Sequence, residues 1–103
     1  MKRSKYSSEQ YAAFQNIVEV FRKKEYSELK RLANEKFNDT EHPRNDVQIG
    51  IDVYYDDKKL GHVRCSIALY TVKAQPWWHF WDTAVLVEDF IVAPNGTYID
   101  DSN

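Results

Sequence analysis

Between Val47 and Asp56 the apolar and polar residues trade places at every step. Val47, Ile49, Ile51, Val53 and Tyr55 alternate with Gln48, Gly50, Asp52, Tyr54 and Asp56. A period of two marks a strand with one buried and one wet face. Asp56-Asp57-Lys58-Lys59 and Gly61 then make a turn, and Val63, Cys65, Ile67 and Leu69 alternate back. The two runs predict a β-hairpin. Upstream the period becomes helical. Ser7-Ser8-Glu9-Gln10 reads as a capping box, with Ser7 as the cap and Gln10 reaching back to it. Tyr11, Phe14, Ile17, Val18 and Phe21 form one stripe; Tyr26, Leu29, Leu32, Ala33 and Phe37 form a second. On one straight helix the stripes would lie about a quarter turn apart. That slip predicts two helices with a tight corner near Lys24. Asn38 to Asp46 reads as a polar loop, with Pro43 marking that the helix has ended.

After the short connection Lys73-Ala74-Gln75-Pro76 the pattern changes. Trp77, His79, Trp81, Val85 and Val87 share one parity; Trp78, Phe80, Ala84, Leu86, Phe90 and Val92 share the other. Such a strand is covered on both faces, or carries a bulge that swaps them, and Asp82-Thr83 is the natural break. Ala93-Pro94-Asn95-Gly96 predicts a turn, and Thr97 to Asp100 a short last strand. Residues 1–6 and 101–103 are expected to fray. The order predicts one α+β domain over residues 1–103. Two N-terminal helices pack on one face of a curved antiparallel sheet of about four strands.

Composition narrows the classes. The 103 residues are 43 % apolar, 15 % aromatic and 29 % charged, which excludes a disordered chain. Cys65 is the only cysteine, so no intrachain disulfide forms. No apolar stretch reaches signal-peptide or membrane-span length, and the expectation is a cytoplasmic protein with no membrane partner. Asn95-Gly96-Thr97 matches a glycosylation acceptor and is read as a turn. The net charge of −2 is split unevenly. Residues 1–37 hold nine Lys or Arg against five Asp or Glu, whereas residues 38–103 hold five against eleven. An acidic sheet half argues against nucleic acid as a partner. The clusters Lys2-Arg3-Lys5 and Arg22-Lys23-Lys24 read as solvated helix ends.

The helical run YAAFQNIVEVFRKKEYSELKRLANEKF followed by successive antiparallel strands resembles the NTF2-like and cystatin-like α+β folds. More loosely it resembles small uncharacterised bacterial proteins and immunity proteins of the same size. The resemblance is one of element order over most of the chain, with no diagnostic motif. It implies a curved sheet wrapped around a helix, a pocket inside, and dimers formed through the sheet. In enzymes of the NTF2-like group a His, Asp or Tyr inside the cone transfers protons; Tyr70, His79 and Asp82 are the matching candidates here. The chain departs from that pattern in being short and in showing no third helix, which argues against a deep pocket.

Trp77-Trp78-His79-Phe80-Trp81-Asp82 is the densest aromatic segment, and each such ring buries roughly 150–250 Å². Alternation sends Trp77 and Trp81 to one face and Trp78 to the other, so one ring lies opposite the helices whichever face they cover. Trp77, Trp78, Phe80 and Trp81 are therefore the candidate interface, with a homodimer as the expected assembly. His79 and Asp82, three apart, meet only across a bulge, and His62 begins the preceding strand. Cys65 shares its parity with Val63, Ile67 and Leu69 and reads as a buried thiol. No metal site, cofactor motif or phosphate-binding glycine loop is present in the sequence. Asp52, Tyr54 and Asp56 form a candidate acidic docking surface, joined by Glu88 and Asp89 on a later loop edge. The sequence thus points to a non-enzymatic interaction module that self-associates through an aromatic sheet face, an inhibitor or immunity-type protein being one version. The alternative is a small-molecule binder or acid–base enzyme using Tyr70, His79 and Asp82.

Overall fold

A computed structural model describes residues 6–44, 47–71 and 85–99. Helix α1 runs Ser8–Arg22 and α2 runs Tyr26–Asn34; the strands are β1 Asn38–Arg44, β2 Val47–Asp57, β3 His62–Thr71, β4 Leu86–Val92 and β5 Tyr98–Ile99. The sheet is antiparallel throughout and its spatial order is the chain order, β1-β2-β3-β4-β5. The α+β class and the two-helix start are as expected. Among the described residues the sheet has five strands rather than the expected four.

The capping box forms. Gln10 N–H donates to Ser7 Oγ at 3.1 Å, and Ser7 N–H donates to Gln10 Oε1 at 2.7 Å, which satisfies two of the helix's orphan donors. The corner falls at Lys23 to Glu25, between the two stripes. Helix α2 ends in a Schellman arrangement. Lys36 N–H reaches Ala33 O at 3.0 Å and Phe37 N–H reaches Leu32 O at 3.0 Å, with Lys36 at φ 54°. That single left-handed residue turns the chain out of the helix and into β1.

The segment read as a polar loop, Asn38 to Asp46, is the main correction: Asn38–Arg44 is an edge strand. Its residues from Asn38 to Pro43 are all exposed, so no apolar period reveals it; backbone pairing with β2 creates it. Pro43 is tolerated because an edge strand leaves one row of N–H groups unpaired. Glu88 and Asp89 likewise belong to β4, not to a loop.

The core lies between helices and sheet. Phe14, Val18 and Phe21 of α1 and Leu29, Leu32 and Ala33 of α2 pack on Val47, Ile49, Ile51, Val53, Val63, Cys65, Ile67 and Leu69. These are the apolar parities of β2 and β3, all but closed to solvent. Register keeps them on one face, since Ile49 faces Leu69, Ile51 faces Ile67 and Val53 faces Cys65. A second clamp holds α1 to the far strands. Arg22 pairs with Glu88 at 2.7 Å, its guanidinium lies 4.6 Å from the Phe90 ring centroid, and Tyr98 Oη donates to Arg22 O at 3.1 Å. At that end β4 is buried on both parities, at Phe90, Ile91 and Val92.

Candidate functional site

With the helices on one side, the other parity of the sheet makes a face of its own. The cross-strand partners follow from register. One row holds Asn38, Asp52, Ser66 and Asp89; the next holds Tyr54, Arg64 and Ile91; a third holds Thr40, Gly50, Ala68 and Val87. No described helix packs here. Tyr54 is 43 % exposed and Val87 is 52 % exposed, so this face presents apolar area as well as charge.

Arg64 organises the centre. Its Nε donates to Asp56 Oδ1 at 2.9 Å and its Nη1 donates to Asp89 Oδ1 at 2.7 Å, so one guanidinium ties β2 to β4 across β3. Asn38 Nδ2 donates to Asp52 Oδ1 at the β1 end of the same face. The described charges on it are three aspartates, Asp52, Asp56 and Asp89, around one arginine, so the face carries a negative surplus. Burial pushes the Tyr54 hydroxyl above its ordinary value. Arg64 works against that rise, and Asp89, Asp52 and Asp56 add to it. Tyr54 therefore stays neutral as a hydrogen-bonding aromatic at physiological pH.

The expected acidic surface of Asp52, Tyr54 and Asp56 thus lies on one face of β2. Asp89, expected beside it on a loop edge, joins it from β4, whereas Glu88, expected with Asp89, lies on the helix side and pairs with Arg22. Arg64, which ties the surface together, was missed. Arg64 could have been found by counting outward from the turn, since Tyr54 pairs with Arg64. Trp77, Trp78, His79, Phe80, Trp81 and Asp82 lie outside the described residues. Tyr70 sits on the outer face, opposite Gln48, and its ring reaches across Gly50, where an added Cβ would meet Tyr70 Cε2 at 3.7 Å. His62 faces Asp57 at the start of β3. The layer between helices and sheet is filled by apolar side chains, with Gln10 the one buried polar residue described. Of the three acid–base candidates only Tyr70 is among the described residues, and it lies on the outer face, away from that layer.

Cys65 lies in that apolar layer. Burial pushes its thiol up to about 12, so it is a small core hydrophobe and no nucleophile at neutral pH. Among the described residues no group of three His, Cys, Asp or Glu converges in a way that could hold a metal ion. No described helix is long and apolar enough to cross a membrane. An open groove of about 520 Å³ lies where α2 hands over to β1, lined by Lys36, Phe37, Tyr55 and Lys58 among others. Comparison with family models, with curated proteins and with solved structures gives no match to this chain.

Proposed function

We propose that this chain is a protein-interaction module that works by contact and not by catalysis, docking through the sheet face its helices leave open. The observation that carries the reading is the one-sided placement of both helices. It leaves Tyr54 and Val87 exposed beside a polar frame of Asp52, Asp56, Arg64 and Asp89. An aromatic and an aliphatic anchor inside a charged rim is how specific interfaces are built. The occupant we favour is a second copy of the chain. The tryptophan-rich segment Trp77 to Trp81 supplies aromatic area of the kind that anchors such contacts. The sheet, with five strands in simple chain order, is consistent with the NTF2-like or cystatin-like element order, in which pairing through the sheet is common.

The acidic surplus favours a second reading, in which the same face docks on a basic protein surface as an inhibitor or immunity-type protein would. The two readings differ in the sign of their response to salt. Two copies meeting face to face bring like charge together, so added salt screens a repulsion and strengthens the dimer. A basic partner is held by attraction, and salt weakens it. Light scattering of the purified chain at rising concentration, in low and in high salt, separates them. A dimer that tightens with salt supports self-association. A monomer throughout refutes it and leaves the basic-partner reading, whose complex must weaken with salt.

A further inference from the structure

We draw no further inference here: the strongest candidate, the open groove between the end of α2 and the last residues of β2 with Lys36 and Lys58 among its lining residues, is an unpartnered apolar surface, and nothing in the structure shows what occupies it.

Discussion

Lys36 is the one non-glycine residue described with a positive φ, at 54°, and it holds the position where helices prefer glycine. A Cβ in that conformation costs roughly 1–2 kcal/mol, part of which glycine returns as unfolded-chain entropy. Lys36→Gly is therefore expected to stabilise the fold by up to about 1 kcal/mol, read as a higher urea midpoint at unchanged slope. Gly61 is the opposite case. Its φ is +75°, and an added Cβ would come within 3.0 Å of both Pro94 Cγ and Tyr26 Oη. Tyr26 Oη also donates to Gly61 O at 2.6 Å, so the β2–β3 turn is pinned to α2 at this point. Gly61→Ala should cost about 1–3 kcal/mol in the same assay. Gly50→Ala, whose Cβ would make only an ordinary contact, should cost less. Cys65 gives a pH prediction. Its thiol is raised from an ordinary 9.0 to about 12, because burial disfavours the thiolate. The folded chain then keeps a proton that the unfolded chain releases. Stability from this group is intact below pH 9 and is lost as pH rises from there towards 12. Tyr26 and Tyr54 shift in the same direction, both mainly through burial. Denaturant midpoints measured across that window should fall, and Cys65→Ala should make the fall shallower whatever it does to stability at neutral pH.

The elements divide by how their burial is distributed. Those with one buried face were legible: α1 and α2 from their stripes and the Ser7–Gln10 box, β2 and β3 from strict alternation with the turn between. In each the burial that stabilises the element also writes the period. Strand β1 was illegible because Asn38 to Pro43 bury nothing, and the strand exists through backbone bonds to β2. No side-chain pattern can report that. The Arg22–Glu88 pair and the Arg64 bridge were hidden for a different reason. Their partners lie 66 and 25 residues apart, or across the β2–β3 hairpin, and only the register brings them together. The expected acidic surface was found as a parity of β2, but its extent across β3 and β4 is a property of the sheet. This separates two kinds of substitution. Phe14→Ala, in the packed layer, should cost roughly 3–5 kcal/mol. Asp56→Asn and Asp89→Asn, which remove exposed ion pairs to Arg64 worth about 0–1 kcal/mol, and Asp52→Asn, whose carboxylate accepts an exposed hydrogen bond from Asn38, should each change stability far less.

For the whole molecule, the separation of a packed face from a presented face turns structure into a statement about function. If the outer face meets a second copy, the three aspartates oppose the contact. The triple Asn variant at 52, 56 and 89 should then dimerise more tightly than the parent and lose most of the salt dependence. The same variant should bind a basic partner more weakly, so one protein tests both readings. The most direct measurement is the solution mass of the parent beside two single variants. Val87→Asp places a charge in the outer face; Val20→Asp places one at an exposed site on α1, on the far side of the molecule. The account predicts a parent mass near twice 12.2 kDa, a monomer for Val87→Asp with unchanged circular dichroism, and a dimer for Val20→Asp. A parent that stays monomeric at every concentration would contradict self-association through this face, as would a dimer that survives Val87→Asp and is broken by Val20→Asp.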